Sequence, residues 1–184
     1  MQDKKVNIWA DAGVPGLVLG GISIAYLLIN SYTTGLTGKG FAAFLIGTLN
    51  FLLWAGKLAL CIWLLRSYIL HFSEQNPSED RRRVLGFGVA AAFLSALLYS
   101  VFYLAYVLYI NPEAISASFD AVMQQYSSMM DPATVEAMEN LRSDMPVATF
   151  FTNLIWCFLF GTILSAIFSR NIGPDSDNPF KDEQ

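Results

Sequence analysis

Four long apolar runs separated by polar stretches constrain this sequence more than any other feature. The runs cover residues 12–32, 41–65, 85–110 and 147–169. A helix needs about 20 apolar residues to cross the hydrocarbon core of a bilayer, and each run is long enough. Because lipid offers the backbone no hydrogen-bond partners, each run is expected to be helical. The sequence therefore predicts an all-α membrane protein with four transmembrane helices in a bundle.

The 184 residues leave room for one compact domain, which we assign to residues 1–170 as a single four-helix transmembrane domain. Residues 171–184 are rich in Asp, Pro, Asn and Gly, so they are predicted to be a disordered cytoplasmic tail. The net charge of −4 comes without a basic patch, which argues against a nucleic-acid partner.

The distribution of Lys and Arg predicts the orientation, because cytoplasmic loops are enriched in these residues. One side has only Lys39 and Arg142, whereas the other has eight: Lys4, Lys5, Arg66, Arg81, Arg82, Arg83, Arg170 and Lys181. Both termini are therefore predicted to be cytoplasmic. Residues 111–146 are then the one long segment on the outer side of the membrane.

This outer excursion has the signals of two helices. Asn111-Pro112 and Asp131-Pro132 each place a capping side chain before a proline, which is typical of a helix start. An amphipathic helical hairpin is therefore predicted between the third and fourth transmembrane helices.

Apolar residues recur at three- and four-residue spacing along the first outer helix. We take them as a candidate partner-facing stripe, which comprises Ile115, Phe119, Val122, Met123, Tyr126 and Met130. The excursion has six acidic residues against Arg142, whereas helices that lie on anionic lipid usually carry Lys and Arg. The stripe is expected to cover the outer mouth of the bundle or to meet a partner, a membrane protein or a second copy. The alternative is a connector that rests on the bilayer interface.

Lys57 is the only charged side chain well inside an apolar run. A lysine near a helix centre costs about 2.5–3.5 kcal/mol on insertion scales, so it is expected to face the bundle interior. Ser95 and Tyr99 are expected at a similar depth, and Asn50, Tyr103 and Asn153 are expected to share a depth nearer the outside. With Lys57, these five residues form a candidate intramembrane polar seam. The seam either lines an outward-opening cavity for an ion, headgroup or metabolite, or holds the helices together by hydrogen bonds.

Three pairs of small residues predict close helix contacts, since such residues let backbones approach each other. They are Gly16 and Gly20, Ala92 and Ala96, and Gly161 and Ser165. The cysteines are expected at different depths, Cys61 near the cytoplasmic end and Cys157 near mid-bilayer, so no disulfide is expected between them.

The sequence contains no set of residues typical of catalysis, of metal binding or of a cofactor. We therefore expect a protein that is not an enzyme and has no cofactor.

Several local features support a resemblance to a family. They are Tyr109–Glu113 (Tyr-Ile-Asn-Pro-Glu), the Met- and Glu-bearing excursion, and a last apolar run ending in Ile-Leu-Ser-Ala-Ile-Phe-Ser. Together with the order of the apolar runs, they resemble the bacterial inner-membrane proteins, typical of the Bacteroidota, catalogued as domain of unknown function 4199. The arginine triplet 81–83 and the acidic tail depart from that pattern. The resemblance implies four membrane helices and assigns no activity or site.

The sequence thus predicts a multi-pass protein of the bacterial inner membrane that acts as a non-enzymatic scaffold or accessory subunit. Two alternatives stay open. One is a small transporter or channel that uses the polar seam, and the other is an accessory to a lipid-linked glycosyltransferase.

Overall fold

The computed structural model describes residues 7–34, 41–77, 80–126 and 129–170, and these are helical almost throughout. The six α-helices formed by the described residues are α1 (Ile8–Thr34), α2 (Phe41–Gln75), α3 (Arg81–Ala105), α4 (Glu113–Tyr126), α5 (Pro132–Leu141) and α6 (Met145–Ser169). A π-helical turn, Tyr106–Ile110, extends α3, and a 3-10 turn, Arg142–Asp144, joins α5 to α6. The predicted tail, 171–184, lies outside the described residues.

Four helical segments in the described ranges are long and apolar enough to cross a membrane. They contain the four runs identified in the sequence, so the prediction of four apolar spanning helices is confirmed. We call the end where α1 begins and α6 finishes the terminal end, and the end that carries α4 and α5 the hairpin end.

Helix α2 is longer than the second apolar run. It continues past Leu65, where that run ends, to Gln75. The extension is held by Leu65, Ile69 and Phe72, which are buried at helical spacing. The Phe72 ring stacks on Phe87 of α3 with 4.2 Å between ring centroids. Burial of these three side chains stabilises the part of α2 that follows Leu65, where hydropathy alone indicated a loop.

Helix α3 lies between α1 and α6 and makes the most extensive contacts of the four long helices. It runs parallel to α1, since Gly16 meets Leu94 and Gly20 meets Leu98. A Cβ added at Gly16 would lie 2.6 Å from the Leu94 Cβ, so only glycine permits this approach. The predicted close contact through Gly16 and Gly20 is confirmed.

Helix α6 packs antiparallel on the other side of α3. A Cβ added at Gly161 would lie 2.5 Å from the Ala92 Cβ, and one added at Gly88 would lie 2.7 Å from the Ser165 Cβ. Ala92 and Ala96 are buried, at 5% and 1% exposure. The other two predicted small-residue pairs are therefore also at helix contacts.

The buried apolar core lies toward the terminal end, where α1, α2 and α3 meet around Ala12, Ile69 and Phe87. Toward the hairpin end, α2 presents exposed side chains such as Phe44 and Phe51, at 69% and 62%. Such a surface suits lipid, which is as apolar as the side chains themselves.

Two helices occupy the excursion, as the sequence predicted. The Asp131 carboxylate accepts a hydrogen bond from the Thr134 backbone N–H at 3.2 Å, and Pro132 is the first residue of α5. The predicted cap at Asp131 is confirmed. Helix α4 begins at Glu113, one residue after the predicted Pro112.

Candidate functional site

The structure places Lys57 of α2 between two aromatic rings from other helices. Its Nζ lies 5.4 Å from the ring centroid of Tyr26 in α1 and 5.7 Å from that of Tyr99 in α3. Within the described part of the chain, Lys57 forms no salt bridge. Aromatic faces attract a cation at this range, so the two tyrosines compensate part of the cost of placing this half-buried charge within an apolar helix.

Asn50 joins α2 to α1 nearer the hairpin end. Its Oδ1 accepts a hydrogen bond from the Thr33 hydroxyl at 2.6 Å, and Thr33 is buried. Thr33 is absent from the predicted polar seam, because no sequence pattern indicates which residue of α1 faces Asn50.

Tyr99 and Tyr103 continue along α3 toward Tyr106. Successive ring centroids are 6.2 and 6.5 Å apart. The Tyr106 hydroxyl is hydrogen-bonded to the Ser31 hydroxyl of α1 and accepts a hydrogen bond from Asn111 Nδ2 at 3.1 Å. Tyr106 thus ties α3 to α1 and to the residue that precedes the hairpin, a role that the sequence analysis missed.

Ser95 and Asn153 are the last two predicted seam residues. The backbone of Ser95 lies against α1, because a Cβ added at Gly20 would lie 3.2 Å from its carbonyl oxygen. Asn153 Nδ2 of α6 is buried and has no hydrogen-bond partner among the described residues. The structure therefore brings Lys57, Tyr99 and Tyr103 together.

Both cysteines are half-buried, Cys61 in α2 and Cys157 in α6. Both are free thiols.

The predicted partner-facing stripe is only partly open. Phe119 is 3% exposed, and the guanidinium carbon of Arg142 lies 5.3 Å from its ring centroid. Arg142 also forms salt bridges with Asp120 at 3.0 Å and Glu139 at 3.1 Å. The prediction that Phe119 faces a partner is therefore wrong, because its ring is buried against Arg142 within the hairpin.

The other stripe residues differ in exposure. Val122 and Tyr126 are 44% and 43% exposed, while the side chains of Ile115, Met123 and Met130 are half-buried. The open part of the stripe is therefore centred on the C-terminal half of α4.

Two cavities flank the first turn of α1 at the terminal end, and the sequence analysis identified neither. One has a volume of about 750 Å³ and the other about 550 Å³, and neither is lined by any of the predicted seam residues. Each is built by residues from three parts of the chain, which is why no local pattern indicated it. Among the described residues, no group of three or more His, Cys, Asp or Glu side chains is arranged to hold a metal ion.

One comparison with known proteins gives a match. The family model described as Protein of unknown function (DUF4199) matches residues 15–170, which include α2, α3 and α6 entirely and α1 from Pro15 onward. No curated protein and no solved structure matches the chain.

Proposed function

We propose that this chain, which belongs to the DUF4199 family of proteins of unknown function, is a non-enzymatic scaffold or accessory subunit in a bacterial inner membrane. Its four long helices would form a bundle across the bilayer, and the α4–α5 hairpin would meet a membrane-protein partner. The proposal rests on the contacts that polar side chains within the long helices make with one another.

Several of these polar groups are engaged with one another between helices. Thr33 with Asn50 joins α1 to α2, Ser31 with Tyr106 joins α1 to α3, and Lys57 lies between two tyrosine rings. Interhelical hydrogen bonds in membranes stabilise by about 0.6–2 kcal/mol, so such contacts suit a structural role. This is the observation that carries the proposal, since a substrate path needs polar groups that are free to bind.

We base the orientation on the sequence, which has eight Lys and Arg residues on one side of the apolar runs and two on the other. Both termini would be cytoplasmic, and the hairpin would face outward.

The hairpin offers a surface of mixed character to a partner. Val122 and Tyr126 are exposed on α4, and Tyr109, at 83% exposure, lies just before the hairpin. Tyrosines contribute strongly to protein interfaces, because they bury a large ring and keep a polar hydroxyl. The six acidic residues of the excursion disfavour anionic lipid as the binding partner.

Photo-crosslinking from α4 tests the scaffold proposal. A benzophenone amino acid is placed at Tyr126, and at Gln124 as a matched exposed position on the polar side of the same helix. In native membranes, the probe at residue 126 is expected to give a discrete protein adduct that the probe at 124 does not give. Equal labelling from both positions, or lipid adducts alone, would contradict the proposal.

A second candidate is a small transporter or channel, and Asn153 is the observation that favours it. A buried amide without a partner costs about 1–3 kcal/mol, and one role for such a group is to bind a passing solute. The test is ion leakage from proteoliposomes that contain wild type, Lys57→Leu or Asn153→Leu protein. If proteoliposomes with wild type leak ions, and those with either variant do not although the variants are folded, the result would favour the transporter over the scaffold.

A further inference from the structure

From the two cavities beside α1, we infer a binding site for one amphiphile with an ammonium headgroup, namely an aminophospholipid. The headgroup occupies the 550 Å³ cavity, and an apolar chain lies in the 750 Å³ groove. The inference needs the long helices to span a membrane, and it is independent of the scaffold role.

The smaller cavity is open at the junction of α1, α2 and α3. Its volume lies within the range of about 300–1,000 Å³ typical of ligand sites. It is lined by Asn7, Asp11, Val14, Pro15, Tyr68, His71, Phe72, Gln75, Asn76 and Phe87. The lining therefore has an apolar base and a polar rim, which is the form of a site for a small polar group.

The polar rim is rich in hydrogen-bond acceptors. Gln75 Nε2 contacts His71 Nε2 at 2.9 Å, and since an amide nitrogen can only donate, the imidazole nitrogen accepts. Asn76 Nδ2 donates to the Phe72 carbonyl at 3.0 Å. The amide nitrogens of Gln75 and Asn76 are thus engaged, and the amide oxygens of these two residues are left to bind a ligand.

Asp11 determines the charge that the cavity favours. It supplies a carboxylate to the rim, and a carboxylate attracts a cation and repels an anion. An ammonium group carries three donors and no acceptor, which matches a rim of carboxylate and amide oxygens. The lining therefore selects an amine over a phosphate or carboxylate.

The larger groove suits a hydrocarbon chain. It is lined by Asn7, Ile8, Trp9, Gly86, Val89, Ala90, Phe93 and Phe158. Phe93 makes edge contacts with Trp9, at 6.3 Å between ring centroids, and with Phe158, at 5.7 Å. These rings form a continuous apolar wall across α1, α3 and α6.

Asn7 lines both cavities, so the polar and apolar parts share a wall at the residue that precedes α1. Asp11 lies in the first turn of α1, immediately before the apolar run that begins at Ala12. A helix that crosses the bilayer has this turn at the level of the lipid headgroups. This position favours a membrane lipid over a soluble amine.

Native mass spectrometry of the full chain, released from nanodiscs of equal phosphatidylethanolamine, phosphatidylglycerol and phosphatidylcholine, tests the site. Wild type is expected to retain phosphatidylethanolamine preferentially, and Asp11→Asn to retain about tenfold less, since a hydrogen bond to a charged group is lost. Glu74→Gln is the matched control, because Glu74 is an exposed acid of α2 that does not line the cavity. It is expected to retain the lipid as wild type does.

Three results would overturn the inference. The first is equal retention of the three lipids by wild type, and the second is the same loss in Glu74→Gln as in Asp11→Asn. The third concerns the source of the amine and uses glycerophosphoethanolamine, which has the headgroup without chains. If this compound stabilises the protein against heat as strongly as the lipid does, the ligand is a soluble amine and the groove has no part in binding.

Discussion

Gly161 of α6 faces Ala92 of α3 so closely that a Cβ at residue 161 would lie 2.5 Å from the Ala92 Cβ. The Cβ atoms of residues on two packed helices do not approach to this distance. The contact between the two helices is therefore possible only while residue 161 is glycine.

Gly161→Ala is expected to destabilise the protein, because α3 and α6 must move apart to admit one methyl group. Overpacking of this kind costs about 1–3 kcal/mol. The measurement is the free energy of unfolding in mixed micelles. Gly56→Ala is the control, since nothing lies within 4 Å of a Cβ added there. Equal effects of the two substitutions would contradict the close contact.

The charge of Lys57 is expected to be coupled energetically to the rings of Tyr26 and Tyr99. A double-mutant cycle that combines Lys57→Met with Tyr26→Leu should give a coupling energy of about 0.5–2 kcal/mol. The same cycle with Tyr32→Leu should give none, because Tyr32 is 77% exposed. A coupling near zero for Tyr26 would show that the ammonium is satisfied elsewhere.

Arg142 is expected to hold α4 against the end of α5. Arg142→Met removes two salt bridges and the contact with the Phe119 ring. Partly exposed ion pairs contribute about 0.2–1 kcal/mol each, so loss of the two pairs should make the hairpin open about 2- to 30-fold more often. Faster hydrogen exchange in α4 would report this opening, with Glu136→Gln as an exposed acidic control. Unchanged exchange in Arg142→Met would mean that other contacts hold the hairpin.

The start of α5 is expected to weaken in acid. The pKa of the Asp131 carboxyl is lowered, because the carboxylate accepts hydrogen bonds from the side chain and the backbone N–H of Thr134. A group with a lowered pKa in the folded state stabilises that state above its unfolded pKa, and this contribution is lost as pH falls through the folded pKa. Exchange of the Thr134 amide, corrected for its intrinsic pH dependence, should therefore accelerate in acid. Asp131→Asn keeps a capping oxygen without a titrating group and should remove that acceleration.

The orientation is expected to place the hairpin outside the cytoplasm. Alkaline phosphatase, which is active only in the periplasm, should be active when fused after Gln125 and inactive when fused after Arg170. A fluorescent protein that matures only in the cytoplasm should give the opposite result at the two positions. The reverse pattern would overturn the proposed placement of the termini.

The sequence was sufficient to predict the features that depend on local residue spacing. Hydropathy located the four long helices, and the spacing of Gly16 and Gly20 indicated a close contact before its partner was known. The cap at Asp131 was predictable because it involves only residues three apart.

The features that were not predicted are of two kinds. One was present in the local spacing but hidden by averaging, and the other depends on contacts between distant residues. The extension of α2 has buried residues at Leu65, Ile69 and Phe72, and this helical spacing was visible in the sequence. The averaged hydropathy masked it, because Arg66 and His71 lie between those positions. By contrast, the links from Thr33 to Asn50 and from Ser31 to Tyr106 depend on which helices are neighbours, and a single sequence does not contain that information.

The parallel contact between α1 and α3 has a consequence for how the protein is made. Helices α1 and α2 leave the ribosome before α3 does, so during that interval the surface around Gly16 and Gly20 lacks the α3 residues that cover it in the folded chain. Tyr26 is already available to Lys57 at this stage, whereas Tyr99 arrives only with the third helix. Helix α6, which completes the contact with Ala92, emerges last. The pair of α1 and α2 therefore stays incomplete until α3 packs between α1 and the position that α6 later takes.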